Sequence, residues 1–194
     1  YTSQYTLSLH DALPISQHDI VCMSRHKPKE VDAPFVRGKF HAFEDLQQLN
    51  DYDVQAVIHL AAVTGGCLES DCVRINVEGT RRLMRYLIDR GCRKFVMASS
   101  IAAVGFQSPH FRPLQVPIPD EHPCLDRDGY GLSKYLMEEI TKYYQRQVPE
   151  IDVINLRLSS VSPDERMPPL RHVGPIGEWA LGGITQMARS DAVR

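Results

Sequence analysis

Short apolar runs alternate with longer amphipathic stretches along most of this chain. Asp19-Ile-Val-Cys-Met23 reads as a short strand, and a weaker strand is expected near Pro34 to Arg37, beyond a Lys/Pro/Glu-rich loop. Phe43 to Asn50 is a short helix candidate, with Leu46 and Leu49 on one face. Val57-Ile-His-Leu-Ala61 is nearly continuous in apolar character, as strands buried in a parallel sheet are. From Cys72 the period becomes helical. Val73, Val77, Thr80, Met84, Leu87 and Ile88 share a stripe, Arg74, Glu78, Arg81, Arg82, Arg85 and Asp89 fall outside it, and Gly91 supplies the stop. Lys94-Phe-Val-Met-Ala98 is the next strand. The proline-bearing segment from Gly105 to Asp128 is too long for a mere connector and is a candidate functional loop. Tyr130 to Gln147 reads as a second clear helix, with Leu136, Ile140, Tyr143 and Tyr144 on its apolar side, and Asp152 to Arg157 as a further strand. This alternation, without internal repeats, predicts an α/β fold built on an open, doubly wound parallel sheet.

The two ends break the pattern. Residues 1 to 16, YTSQYTLSLHDALPIS, lack strand alternation and glycine, and TLSLHDALPI resembles a translated sequencing adapter. They are expected to be non-native. Gly177 to Arg194 carries Trp179, Ala180, Leu181, Ile184, Met187 and Ala188 at roughly helical spacing and then stops without a closing element. The expectation is a chain cut on both sides: a non-native 1–16, one α/β domain over 17–165, and the start of a substrate-binding region at 166–194.

Composition narrows the function classes. The chain has 194 residues, 43% hydrophobic and 24% charged, so it can bury a full core without disulfide or metal staples. Its 22 basic and 24 acidic residues leave a net charge of -2, which argues against a nucleic-acid or membrane-surface binder acting through bulk charge. No apolar run approaches the roughly 18 residues of a membrane span. Cys22, Cys67, Cys72, Cys92 and Cys124 form no CxxC pair, and the histidines show no HxxxH spacing. Reduced thiols in a cytoplasmic protein, with no metal site, are the expectation.

In such a sheet, ligands bind beyond the carboxyl ends of the strands. The residues there are Ser24-Arg25-His26, Ala61-Ala-Val-Thr64, Ser99-Ser100 and Leu158-Ser-Ser-Val161. Small and hydroxyl side chains let a ligand approach the backbone, although tight strand ends explain them too. Tyr130 and Lys134 form a sharper pair, one helical turn apart and able to reach one ligand. A phenol with pKa of about 10 is a poor base at neutral pH. A nearby ammonium favours the phenolate and makes proton exchange with a carbinol or carbonyl oxygen feasible. Ser100, at the end of a neighbouring strand, can donate a hydrogen bond to that oxygen. A surface lysine and a packing tyrosine would give the same spacing. The pair's place, at the start of a helix after a strand ending in Ser-Ser, favours chemistry.

Five motifs occur in order: Val57-Ile-His-Leu-Ala-Ala62, Asn76-Val-Glu-Gly-Thr80, Ser99-Ser100 followed by Gly105, Asp120-Glu-His-Pro123, and Tyr130-Gly-Leu-Ser-Lys134. Together they resemble the extended short-chain dehydrogenase/reductase family, the NAD(P)-dependent epimerases and dehydratases, over residues 17 to 165. The resemblance implies a Rossmann-like NAD(P)-binding domain. It also implies catalysis by Tyr130 as acid/base, Lys134 binding the nicotinamide ribose and lowering the tyrosine pKa, and Ser100 polarising the substrate oxygen, with Ser99 as the fallback. Leu60, Ala61, Ala62 and Thr64 match the segment along the cofactor, Asn76 the helix asparagine near it, and Ser159 and Val161 the segment near the nicotinamide. Arg81, Arg82 and Arg85 read as a solvated helix face, His59 as a residue within its strand, and Cys67 and Cys72 as buried or incidental thiols.

Three departures qualify the resemblance. The glycine-rich phosphate loop is missing, since no glycine precedes Gly38, so the chain as given is expected to bind cofactor poorly and to be inactive. Arg25 stands where members preferring NAD carry an acid. It can accept a 2′-phosphate and tilts the expectation from NAD toward NADP, though a solvated loop arginine explains it as simply. Gly38-Lys39-Phe40 replaces the family's Gly-Asp-Leu/Ile, leaving Phe40 at the adenine position without its acid.

The activity implied for the intact parent is hydride transfer at a hydroxyl or carbonyl substrate, such as a nucleotide sugar. An epimerase or dehydratase competes with a simple reductase. The parent would work on a small molecule as a homodimer, without nucleic acid or membrane. The alternative is a non-catalytic NAD(P) sensor or scaffold on the same fold.

Overall fold

The computed structural model describes residues 18–27, 33–64, 66–108, 110–162 and 186–188. Strands β1 (Cys22–Ser24) and β2 (Phe35–Arg37) pair in parallel. Strands β3 (Ala56–His59), β4 (Lys94–Ser100) and β5 (Asp152–Leu158) form a parallel three-stranded sheet in that order, with β4 at its centre. β6 (Ser160–Ser162) pairs in parallel with β7 (Gln186–Ala188). Every described pairing is therefore parallel, and β2 to β3, β3 to β4 and β4 to β5 are each linked through a helical segment, as the expected Rossmann-like α/β fold requires.

Helix α1 (Phe43–Leu46) continues as a 3₁₀ segment over Gln47–Asp51 and buries Leu46 and Leu49, the two residues its pattern singled out. The next helical run begins earlier than Cys72. It comprises α2 (Glu69–Asp71), a π-helical stretch (Cys72–Glu78) and α3 (Gly79–Ile88). Its C-terminus is a Schellman turn. Gly91, at φ +95°, donates to the Ile88 carbonyl, and the Cys92 N–H donates to Leu87. Helix α4 (Gly129–Gln147) follows the long loop.

The core lies between one face of the sheet and α3 and α4. Phe95 and Met97 of β4 meet Leu83, Met84, Leu87 and Ile88 of α3 and Met137 and Tyr144 of α4. Each such side chain, taken from water, contributes roughly 1.5–3 kcal/mol. The opposite sheet face is less covered among the described residues, with Ile58, Ile154 and Leu156 exposed. The reading of Val57 to Ala61 as a fully buried run is corrected accordingly.

Other expectations also change. Val73 is exposed and Leu83 is buried, because the π-helical stretch rotates the following turns relative to an unbroken 3.6-residue period. Tyr143 is exposed while Tyr144 is buried. Met187 and Ala188 lie in β7 rather than in a helix, since pairing with β6 holds that backbone extended. The rest of 177–194, and residues 1–16, lie outside the described residues. Cys67 and Cys72 are joined in a disulfide rather than being separate thiols. The turn before α2 brings their Cα atoms to 6.4 Å, within bridging range. Cys22, Cys92 and Cys124 are free. No helix among the described residues is long and apolar enough to cross a membrane.

Candidate active site

The start of α4 is fixed before its side chains are considered. Asp128 is the N-cap, its carboxylate accepting from the Tyr130 N–H (2.8 Å) and the Gly131 N–H (3.0 Å). Two glycines then permit close approach. A Cβ at Gly129 would stand 2.7 Å from the Glu69 Cα, and one at Gly131 would collide with the Asp126 side chain. The first turn of α4 is therefore pressed against α2 and the end of the long loop, beside the carboxyl end of β4.

Here the structure brings Ser100, Tyr130 and Lys134 together. Ser100 is buried. Its Oγ accepts from the Ala102 N–H at 3.1 Å, which leaves its own proton to be donated elsewhere. Lys134 is only 4% exposed. Its Nζ donates to the Ala98 carbonyl at 2.7 Å and lies 5.8 Å from the Tyr130 ring centroid. Burial lowers the Lys134 pKa to about 8, with the Glu138 carboxylate pulling it back up. The Tyr130 phenol is pushed upward, chiefly by burial and further by the Asp128 carboxylate, while Ser100 draws it down. The expected net lowering by Lys134 is thus not seen, because desolvation of the ring outweighs the favourable contacts.

A second set of bonds braces the strip after β3. Asn76, in the π-helical stretch, accepts from the Val63 N–H and donates to the Val63 carbonyl, both at 2.9 Å. It also donates to Ser133 Oγ at 2.9 Å, and Ser133 donates to the Tyr130 carbonyl at 2.8 Å. Asn76 therefore locks the Leu60–Thr64 strip to the turn carrying Tyr130. Ala61 and Thr64 in that strip are exposed, and Leu60 and Ala62 are half-buried. Small side chains on a fixed backbone suit the flank of a flat ligand.

The remaining expected residues are more scattered. Ser99 is turned to Glu138, to which its hydroxyl donates, and not to Tyr130. Arg25 is exposed just past β1. Phe40 packs edge-on to His59, with ring centroids 4.6 Å apart, and against Gly79. Ser159 and Val161 are half-buried at and beyond the end of β5. His59 is buried in β3, 3.4 Å from Thr80 Oγ1, and burial together with the Lys134 charge lowers its pKa to about 3. Arg81 and Arg82 ion-pair with Glu78, and Arg85 with Asp89, on the solvated face of α3.

Sequence reasoning missed the pair formed by the buried Glu138 and the half-buried Arg157. The Arg157 guanidinium grips both carboxylate oxygens, with Nη2 at 2.7 Å from Oε2 and Nε at 3.0 Å from Oε1. The available signals were an acid one turn beyond Lys134 and an arginine flanked by two leucines within a strand.

Comparison with known proteins agrees with the fold. The model of the NAD dependent epimerase/dehydratase family matches residues 7–173. A D-erythronate dehydrogenase of Cupriavidus necator is 30% identical over 165 residues, 81% of this chain and 48% of its own length. UDP-glucose 4-epimerase 2 of Oryza sativa subsp. japonica is 34% identical over 82 residues, 42% of this chain and 19% of its own. A crystal structure of a short-chain dehydrogenase/reductase superfamily protein from Agrobacterium tumefaciens, with bound NAD, superposes with a TM-score of 0.64 at 29% identity, over 74% of this chain and 42% of that one. The chain spans about half the length or less of the relatives it matches.

Proposed function

The chain belongs to the NAD dependent epimerase/dehydratase family, and from that membership we propose that it carries the catalytic half of an enzyme moving hydride between a nicotinamide cofactor and a secondary hydroxyl or carbonyl, with Ser100, Tyr130 and Lys134 as its catalytic residues. The observation that carries this reading is the buried Lys134, its Nζ held on the Ala98 carbonyl and 5.8 Å from the Tyr130 ring, beside the buried Ser100 at the carboxyl end of the central strand.

The residues fit the nicotinamide end of the cofactor. The small exposed side chains of Ala61 and Thr64, on a backbone clamped by Asn76, offer a flat flank, and Lys134 offers a charge within reach of ribose hydroxyls. The pyrophosphate end is not supplied by this sequence, which has no glycine before Gly38 to let backbone N–H groups close on phosphate. The nicotinamide, when bound, takes or returns the hydride. Tyr130, whose burial favours the neutral phenol, donates its proton to a carbonyl oxygen being reduced and takes it back in the reverse direction. Ser100 donates to the same oxygen and relieves its developing charge. Lys134 holds positive charge beside the phenol, so that the phenolate left after proton transfer is stabilised.

The relatives named above include an epimerase and a dehydrogenase. The same site serves both outcomes, depending on whether the hydride returns to the same substrate. A polyol-acid or nucleotide-sugar hydroxyl is the substrate class proposed here. Arg25 is the residue to separate NADP from NAD, through its charge just past β1. In the complete protein carrying this sequence, with a glycine-rich loop in place, Tyr130→Phe should cut turnover by roughly a thousandfold while dinucleotide affinity, read by quenching of intrinsic fluorescence, stays within about twofold. Unchanged turnover would refute the enzymatic reading and leave the cofactor-sensor alternative.

A further inference from the structure

We propose that Glu138 is a positioning residue for the Ser100–Tyr130–Lys134 group, clasping β4, β5 and the long loop to the helical turn that carries Lys134. This rests on the functional reading above and deepens it. Glu138 is 2% exposed, and each of its carboxylate oxygens has a partner. Oε1 accepts from the Ser99 hydroxyl on β4 and from Arg157 Nε on β5. Oε2 accepts from Arg157 Nη2. That same Nη2 donates to the Asp120 carbonyl at 2.8 Å, so the clasp extends into the loop between β4 and α4. Ser99 and Arg157 are register partners on adjacent strands, and Glu138 meets both from above the sheet.

The loop held in this way is the one that leads to Tyr130. Within it, His122 Nε2 accepts from the Leu114 N–H at 3.1 Å, and the His122 ring packs on Phe111. Anchoring Asp120 therefore ties to β5 the loop that leads into the turn carrying Tyr130. The clasp also acts on Lys134 directly. Glu138 lies four residues further along α4, where helical geometry puts its carboxylate near the ammonium. The charged and titratable groups facing these two residues are Arg157 from β5, His59 from β3 and Cys124 from the loop, together with Tyr130 on the same helix. His59 is held neutral and Arg157 is committed to Glu138, so Glu138 supplies the negative charge that keeps Lys134 an ammonium.

The test is a side-chain ¹³Cε/¹⁵Nζ lysine NMR titration of the complete protein without cofactor, with the Lys134 signal assigned by Lys134→Met. In the wild type the signal should titrate near 8. Glu138→Gln should lower that midpoint by about one unit, and the alkaline fall in turnover should move with it. Glu138→Asp, which keeps the charge but shortens the clasp, should restore most of the midpoint while leaving turnover several-fold down. An unmoved midpoint in Glu138→Gln would overturn the proposal. So would equal loss of turnover in the Gln and Asp variants with equal midpoints. Should Glu138→Gln fail to fold, Arg157→Lys supplies the second arm. It keeps a cation beside Glu138 but gives up the reach to Asp120, and it should raise KM without moving the Lys134 midpoint. An Arg157→Lys protein with unchanged KM would count against the loop clasp. None of these midpoints depends on Tyr130 being catalytic, so the proposal and the functional reading can fail separately.

Discussion

Helices α3 and α4 pack on the same face of the same sheet, yet they bury opposite kinds of surface. α3 turns Leu83, Met84, Leu87 and Ile88 inward and keeps its charges in surface pairs, Arg81 and Arg82 with Glu78 and Arg85 with Asp89. α4 buries Ser133, Lys134, Glu138 and Thr141 alongside Met137 and Tyr144. An apolar inward face stabilises the fold on its own. A polar one must satisfy every group it buries, and a buried ion pair rarely repays its own desolvation. On the proposed function, the contrast makes α4 the element whose packing is shaped by chemistry and α3 the one shaped by stability.

The contrast can be broken at several points. Arg157→Met should cost about 3–5 kcal/mol, because it strands the Glu138 carboxylate in the interior. Adding Glu138→Leu should recover most of that loss in urea unfolding, with turnover still gone. If the double variant stays as unstable as the single one, the pair is holding the fold and the distinction between the helices falls. On α3, Met84→Ala should cost about 2–5 kcal/mol through the cavity it leaves, with the Lys134 titration unmoved. His59 gives a gentler, pH-dependent effect at the boundary between the regions. Its folded pKa is lowered from 6.5 to about 3, so the unfolded chain takes up the proton first. Its contribution is therefore complete above about pH 6.5 and lost as pH falls toward 3. His59→Gln should flatten the urea midpoint across that window. Glu78→Gln, which removes an exposed anion between two arginines, should change stability by less than about 1 kcal/mol, and less still at high salt.

Much of this was legible in the residues, and the illegible part has a physical cause. Apolar periodicity located the strands and helices because burial of one face is what the period records. Gly91 marked the end of α3 because a Schellman turn needs a positive φ there. The proposed trio of Ser100, Tyr130 and Lys134 stood out because few residue types can carry proton transfer and because they stand at strand and helix ends. Glu138 and Arg157 were not, since a pattern of hydrophobicity scores every charge as solvent-facing. The same blindness assigned Tyr143, which is exposed, to the buried side of α4, where Ser133 and Thr141 lie instead. The net direction of the Tyr130 shift was also hidden, because it depends on how deeply the ring is sunk. The Cys67–Cys72 bridge depended on a turn geometry that spacing does not reveal.

The cap at the head of α4 puts two demands in opposition. Asp128 secures the first turn by receiving two backbone protons, and its negative charge makes the neighbouring phenol hold its own proton more tightly. Anchorage and acidity are thus traded against each other at one carboxylate. An amide there would keep the anchorage and drop the charge, so exchanging Asp128 for Asn offers a way to tune how readily the hydroxyl gives up hydrogen without touching any reacting atom.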